Sequence, residues 1–312
     1  MKSIYRLLKN FVKEDYHPLL YGYAFVFLIV TISLNYYLDF EDSVLDSYYL
    51  QSISLFYYTL FYAVAYYGIA IPQLIIRNKS KTLLSFKYWV RSLFFVFLVG
   101  FSAYFYLHRK VELPDLNMHE YYFMLDLIRQ LNPFVTVIIP LLLFWILFDR
   151  NKNHFYGFNL KKANLKPYFL MLAIMFPLVF AASFLPDFQE NYPIVKAWEL
   201  NNAFGWNPAT YYLLFEPLYG ISFLSVEMIF RGALVIGMVK LVGKEAVLPM
   251  VAMYAFLHFG KPLGETIGSV FGGYILGIIA LRTEHIFGGF IIHVGVAYLM
   301  EATAIWQYYF NN

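Results

Sequence analysis

The sequence predicts an all-α fold, a polytopic bundle of transmembrane helices, and three observations lead to this prediction. The chain has 312 residues, of which 61% are hydrophobic and only 14% are charged, whereas an average soluble domain is roughly 45–50% apolar and 25% charged. Its apolar residues form runs about as long as the roughly 20 residues that cross a bilayer as a helix. The loops between these runs alternate between basic and acidic, which is typical of multi-pass membrane proteins. We therefore expect membrane lipid to be a partner of the chain.

Composition also excludes several functions. The net charge is only +3 and no basic stripe carries interleaved aromatic residues, so we expect no nucleic-acid partner. Cysteine is absent, which excludes disulfides, cysteine-based zinc fingers and catalysis by a thiol. The sequence leaves the oligomeric state open.

About nine spans (eight to nine) follow one another along the chain, each placed where an apolar run reaches a membrane-spanning length. The first begins at Pro18 and is interpreted as a retained span, because no small-residue cleavage site precedes Asp39. The fourth opens with a polar, amphipathic turn that contains Asp126 and Arg129 and becomes apolar at Pro133. The seventh and eighth are short, as helices sheltered inside a bundle can be. The nine ranges are 18–38, 50–76, 88–107, 121–148, 167–185, 208–241, 246–259, 266–282 and 286–306.

Loop charges predict the orientation of these spans. Acidic segments, such as residues 39–42 and 187–190, alternate with basic ones. The positive-inside rule then places the N-terminus in the cytoplasm and the C-terminus outside, and we expect a multi-pass protein of a bacterial inner membrane. The basic residues that carry this prediction are Lys2, Arg6, Lys9, Lys13, Arg77, Lys79, Lys81, Lys87, Arg150, Lys152, Lys161, Lys162, Lys166, Lys240, Lys244 and Arg282.

The spans divide into two groups of different character. Residues 1–148 carry mostly aromatic and aliphatic side chains and are predicted to be N-terminal, lipid-facing helices. Residues 149–166 form the longest basic loop and the best candidate boundary. Ionisable side chains begin to appear inside apolar helices after that loop, so residues 167–312 are predicted to form the core that holds a site.

Five ionisable residues lie well inside the last four spans, namely Glu227, Arg231, His258, His293 and Glu301. Glu216 and Glu265 sit nearer their helix ends. A charged group at mid-bilayer costs at least about 2.5–3.5 kcal/mol on insertion scales, so it needs a partner or a water-filled cavity. Glu227 and Arg231 are four residues apart and can pair on one helix face. The alternative interpretation is an ion pair that only stabilises helix packing.

Glu227, His258 and His293 also reach similar depth, at about 15–20 Å from the nearest cytoplasmic loop residues on a rise of 1.5 Å per residue. A shared site is the prediction, although a lone histidine bonded to a carbonyl would be unremarkable in a helix bundle. Glu265 follows a glycine- and proline-containing turn and sits where a helix N-terminus favours a carboxylate. Glu265 could equally be a solvated loop charge.

A carboxylate and an imidazole in a partly dry cavity can activate water by general-base catalysis. A second imidazole and an arginine-braced carboxylate could stabilise the oxyanion that forms when water attacks an amide. Metal ligation is the alternative, because Glu227, His258 and His293 are a workable set for zinc or another divalent metal. The H-E-x-x-H signature of zinc peptidases is absent. No cofactor is required by the sequence.

Three motifs in residues 208–300 resemble the CAAX-protease and bacteriocin-processing family of intramembrane glutamate/histidine proteases. That family carries Glu-Glu-x-x-x-Arg, Phe-x-x-x-His and His-x-x-x-Asn on separate spans. The resemblance implies a hydrolase that cleaves a peptide or transmembrane protein substrate, with Glu227 and His258 activating water, Arg231 bracing Glu227 and His293 assisting the oxyanion. Glu265, Glu301 and Tyr254 would surround this centre. The matching stretches are Val226-Glu227-Met228-Ile229-Phe230-Arg231, Tyr254-Ala255-Phe256-Leu257-His258 and His293-Val294-Gly295-Val296-Ala297.

The chain departs from the family pattern at three positions. Val226 stands where the family has the first glutamate, Ala297 where it has the asparagine, and Tyr254 where it has phenylalanine. Glu227 or Glu301 could take over the missing role in water activation. Two alternatives therefore stay open beside the peptidase, namely a non-catalytic relative that acts as a membrane scaffold or regulatory partner, and a small ion- or proton-coupled transporter. The absence of a visible repeat argues mildly against the transporter.

Overall fold

A computed structural model describes residues 2–150, 154–160, 164–200 and 203–311. All regular structure in these ranges is helical and no strand occurs in them. Seven helical segments within them are long and apolar enough to cross a membrane, and a shorter apolar helix, Lys166–Ala182, accompanies them. The prediction of an all-α, integral, multi-pass membrane protein is confirmed. Lys152, Lys161 and Lys162, on which part of the basic-loop prediction rests, lie outside the described residues.

The described residues form eleven helices. They are α1 (Lys2–Asp15), α2 (Pro18–Leu38), α3 (Ser54–Ile76), α4 (Phe86–Tyr104), α5 (Met118–Asp149), α6 (Lys166–Ala182), the short α7 (Pro186–Asn191), α8 (Pro208–Glu227, continuing through the π-helical Met228–Gly237 to Val239–Val242), α9 (Val247–Phe256), α10 (Leu263–Thr283) and α11 (Phe287–Asn311).

Local capping explains where two of these helices begin. The Asn117 side chain accepts a hydrogen bond from the Glu120 N–H at 3.0 Å, and the Glu120 carboxylate accepts one from the Asn117 N–H at 3.0 Å. This capping box starts α5 at Met118, three residues earlier than its apolar run suggests. Asn207 caps α8 in a similar way through the N–H of Ala209 at 2.9 Å.

The longest apolar segment, Pro208–Phe256, spans 49 residues but folds back on itself. Gly243 adopts a φ of 77°, a conformation that glycine tolerates and other residues rarely adopt. The Phe230 and Tyr254 rings lie 5.1 Å apart across the reversal, whereas a straight helix would separate residues 24 positions apart by about 36 Å. The segment is therefore two helices, as the predicted spans 208–241 and 246–259 require.

The amphipathic helix α1 is a finding that the span prediction missed. It precedes α2 and packs through one face, on which Phe11 is fully buried. Its residues alternate too quickly between apolar and basic to register as a membrane span. On their charges alone, these residues were predicted as a basic segment before the first span.

Helix α9 lies at the centre of the bundle. All ten of its residues are buried, and α3, α10 and the π-helical part of α8 pack around it. A helix that is apolar on all sides and surrounded by protein can be shorter than a lipid-exposed span. Residues from both halves of the chain, including Tyr66 and Phe95 with Leu234 and Met250, belong to one core cluster.

Candidate functional site

The centre of the candidate site is a buried ion pair on α8. Glu227 and Arg231 have no exposed surface, and Arg231 Nη1 lies 3.2 Å from Glu227 Oε1. Glu227 is the last residue before α8 widens into a π-helix, a change that frequently accompanies functional sites. The Arg231 guanidinium carbon lies 4.2 Å from the centre of the Tyr254 ring. Both a carboxylate and an aromatic face therefore compensate the buried cation.

His293 on α11 joins this pair from the opposite side. Its Nδ1 lies 3.4 Å from Glu227 Oε1, and its Nε2 lies 3.4 Å from the Tyr254 hydroxyl oxygen. Both distances are longer than an ordinary hydrogen bond. The His293 ring also contacts the Phe223 ring, with centroids 4.3 Å apart. About 18% of the His293 side chain is exposed, so it is the most accessible member of the group it forms with Glu227 and Arg231.

His258 lies in the turn after α9, one helical turn beyond Tyr254. Its Nδ1 lies 2.8 Å from the Tyr254 carbonyl oxygen. Because a carbonyl only accepts hydrogen bonds, Nδ1 must carry the proton, and Nε2 of the neutral ring is left as an acceptor. The His258 ring stacks edge-on against the Tyr254 ring at 4.6 Å. Tyr254 thus touches both histidines and the arginine.

The structure therefore brings Glu227, Arg231, Tyr254 and His293 into direct contact and connects His258 to them through Tyr254. Two other predicted residues lie apart from this group. Glu265 accepts a hydrogen bond from the Tyr192 hydroxyl at 3.2 Å.

Glu301 binds a loop on the extracytoplasmic side of the predicted topology. Both of its oxygens lie 3.1 Å from the Ile194 N–H, and its carboxyl group faces that of Glu216. Glu216 of α8 therefore points towards Glu301. Neither Glu265 nor Glu301 has a contact with Glu227 among those that the described residues make.

The donor atoms of Glu227, His258 and His293 do not converge as a coordination sphere requires. Only the contact between His293 and Glu227 is present, and Nδ1 of His258 points at a carbonyl oxygen. In the described part of the chain, the set of three or more acidic or histidine groups whose ligand atoms all meet within 4.8 Å consists of Glu41, Asp42 and Asp46. The residues at the centre of the site do not fit a metal ion in this arrangement.

The acidic turn after α2 has unusual electrostatics. Burial, followed by the nearby carboxylates of Asp46 and Asp42, raises the pKa of Glu41 to about 8. The Glu41 carboxylate packs against Gly260, where an added Cβ would lie 2.6 Å from Oε2. This contact places the turn beside the loop that carries His258.

Two residues that the sequence analysis missed support the centre of the site. An added Cβ on Gly289 would lie 2.0 Å from Glu227 Oε2, so only glycine lets the carboxylate reach its place against α11. Phe223 fixes the His293 ring from α8. The glycines at the start of α11 were the available signal, because small residues at a helix interface let backbones approach closely.

Two of the three positions that depart from the family motifs, Val226 and Ala297, carry small apolar side chains. Val226 lines an apolar groove of about 210 Å³ together with Ser102 of α4, Pro133 of α5 and Leu257. Ala297 is buried within α11. Neither side chain can hydrogen bond.

No protein-family model, no curated protein and no solved structure matches this chain. The likeness to intramembrane proteases therefore rests on the motif residues alone.

Proposed function

We propose that the chain is an intramembrane peptidase of the glutamate/histidine type, which hydrolyses a peptide bond of a membrane-associated substrate. The observation that carries the proposal is the contact of Glu227 with both Arg231 and His293 inside the bundle, beside a histidine whose Nε2 can accept a proton. A carboxylate, two imidazoles and a guanidinium are costly to bury in a membrane protein, and such groups usually mark a functional pathway or site.

His258 is the general base in this proposal. Its Nδ1–H is held by the Tyr254 carbonyl, so Nε2 can take a proton from water while the water oxygen attacks the carbonyl carbon of the scissile bond. The tetrahedral intermediate then collapses, the C–N bond breaks, and the imidazolium returns its proton to the leaving amine. No side-chain nucleophile and no covalent intermediate are needed.

His293 and Tyr254 stabilise the oxyanion of that intermediate. In the proposed mechanism the His293 ring carries a proton on each nitrogen, so that Nδ1–H faces Glu227 and Nε2–H faces the same space as the Tyr254 hydroxyl. Arg231 offsets the buried charge of Glu227. Contacts of 3.4 Å are loose, but catalytic hydrogen bonds are often long without substrate and tighten when it binds.

The membrane topology completes the proposal. The reversal at Gly243 makes two crossings of one apolar segment, and Lys166–Ala182 adds another. This gives nine crossings, with the N-terminus in the cytoplasm of a bacterial cell and the C-terminus outside its inner membrane. The substrate would be a peptide or a transmembrane protein that reaches the site within the bilayer.

One observation favours a second function, that of a non-catalytic scaffold or regulatory partner in the membrane. Glu227 and Arg231 are completely buried, and a sealed ion pair can serve as a packing brace. Val226 in the apolar groove removes the acid that relatives place before this glutamate. In this alternative, loss of function would follow loss of folded protein.

The test measures cleavage and thermal stability together. The purified chain is reconstituted in liposomes with internally quenched apolar peptides of transmembrane length, and cleaved bonds are identified by mass spectrometry. His258→Gln should lower cleavage by about 10²–10⁴-fold, the usual contribution of a positioned general base, with little change in melting temperature. His108→Gln replaces another histidine that is 4% exposed, outside the site, and should retain activity.

The same assay separates the ion pair's chemical role from its packing role. Glu227→Gln is compared with Glu245→Gln, which removes a 3%-exposed glutamate that pairs with Lys79 at 2.6 Å. If the two variants are equally destabilised but Glu227→Gln loses far more cleavage activity than Glu245→Gln, the peptidase proposal is supported. A natural chain that cleaves nothing, but gains activity when Val226→Glu and Ala297→Asn are combined, would establish the scaffold instead.

A further inference from the structure

Helix α1 lies at the cytoplasmic surface of the proposed topology and is held there by its inner face. Only two residues separate its end from Pro18, so its C-terminus lies within about 10 Å of the start of α2. Phe11 is fully buried, and its ring lies 6.2 Å from that of Tyr274 on α10. Leu7 and Leu8 pack against the main core. The helix is therefore a fixed part of the surface and its outer face has a definite direction.

The two acids of α1 are both used in contacts with the bundle. Asp15 is 1% exposed, and its Oδ1 lies 3.0 Å from Arg77 Nη2 and 3.4 Å from Lys244 Nζ. Its Oδ2 accepts a hydrogen bond from the Tyr21 hydroxyl at 2.8 Å. Glu14 pairs with Arg282 of α10.

The cations of α1 point the other way. Arg6, Lys9 and Lys13 are exposed, and none of them has a carboxylate partner among the described residues. Tyr5, next to Arg6, and Tyr16, the first residue after the helix, are 65% and 59% exposed. A helix whose outer face mixes basic residues with aromatic rings is typical of the membrane interface.

A second segment extends this surface. Leu84, at the end of the loop between α3 and α4, is 87% exposed, and Phe86, the first residue of α4, is 81% exposed. Exposed Lys81 and Lys87 flank them. The ion pair between Arg77 and Asp15 connects the start of this loop to α1. The exposed apolar side chains suit insertion between acyl chains, with the lysines at the level of the headgroups.

We infer that the outer face of α1 and residues 81–87, which run from the loop after α3 into the first turn of α4, form a binding surface for the headgroups of anionic lipids in the cytoplasmic leaflet. Cations without carboxylate partners lie beside aromatic rings at the level where the spanning helix α2 begins. This arrangement complements lipid phosphate groups, which lie above the acyl chains of the bilayer. A soluble acidic partner would leave Leu84 and Phe86 in water. The inference does not rest on the peptidase proposal.

The experiment titrates the full-length protein in a mild detergent with dioctanoyl phosphatidylglycerol and, in parallel, with dioctanoyl phosphatidylcholine. A basic residue near an anionic lipid surface strengthens binding by about fivefold, so Arg6→Gln, Lys9→Gln and Lys13→Gln together should weaken phosphatidylglycerol binding by about 100-fold. Binding should also weaken as salt rises. Exposed side chains carry these changes, so the melting temperature in detergent alone should not move.

The matched control neutralises three basic residues on the opposite side of the proposed membrane, with Arg109→Gln, Lys110→Gln and Lys196→Gln, and should bind phosphatidylglycerol like the natural chain. A third variant, Leu84→Ser with Phe86→Ser, should weaken binding without changing its salt dependence. Equal binding of both lipids, equal loss in the control, or displacement by millimolar inorganic phosphate alone would overturn the inference. The last result would identify a surface that attracts any anion.

Discussion

The contact between Gly289 and Glu227 offers the sharpest test of the site's geometry. A Cβ at position 289 would lie 2.0 Å from Glu227 Oε2 and 2.8 Å from its Cδ. Ordinary van der Waals separation is 3.4–4 Å, so the carboxylate must retreat by more than 1 Å. Overpacking of this kind costs about 1–3 kcal/mol. A displacement of about 1 Å in a catalytic group can cost about 10²-fold in rate.

Gly289→Ala should therefore lower both the free energy of unfolding and any cleavage activity. Stability is measured by thermal unfolding in detergent, and activity by the liposome assay described above. Gly272→Ala is the matched control, because nothing lies within 4 Å of a Cβ at that position of α10, and it should be neutral or slightly stabilising. Adding Glu227→Asp to Gly289→Ala shortens the carboxylate by one methylene and should restore part of the stability. A Gly289→Ala protein as stable as the natural chain would refute the close packing of α8 against α11.

Three further predictions follow from the fold and its charges. Reporter fusions within the loop of residues 149–166 should report cytoplasm and C-terminal fusions the opposite side, because of the charge alternation; a cytoplasmic C-terminus would contradict nine crossings. The pKa of Glu41 is raised to about 8, against 4.5 for an unperturbed glutamate, so the folded state binds this proton more tightly than the unfolded state. The free energy of unfolding should therefore fall as pH rises from about 4.5 and level off above about 8. Glu41→Gln should remove that fall. The same dependence of melting temperature on pH in both proteins, measured from pH 5 to pH 9, would contradict this prediction. Glu227→Gln should lower the free energy of unfolding by about 3–5 kcal/mol, because it leaves Arg231 without its charged partner. The double variant Glu227→Leu with Arg231→Met should recover most of that loss. Equal stability of the single and double variants in denaturant unfolding would contradict the role of the pair.

The helices could be predicted from sequence because lipid imposes a simple rule. A span must be apolar over about 20 residues, and all seven long helices follow it. Boundaries moved by a few residues where side chains cap a helix, as Asn117 does for α5. Helix α1 was not predicted, because its apolar face is buried by contact with another helix, α10, and not by lipid.

The motif residues could also be chosen from sequence, since ionisable groups inside apolar spans are rare. Which of these residues touch one another could not be predicted from sequence. His293 contacts Glu227, whereas Glu265 and Glu301 bind Tyr192 and Ile194 elsewhere. Spacing along a helix tells which face a residue occupies, but contacts between helices depend on their rotation and separation.

By itself, the sequence determined that the chain is helical, that it lies in a membrane, and that its polar groups must find partners there. These properties follow from composition and from the cost of burying charge, which are independent of how helices pack. Only the tertiary structure decided that Tyr254 stands between Arg231, His258 and His293, and that Gly289 makes room for Glu227. Those relations join residues from separate helices, and packing alone sets the distances between them.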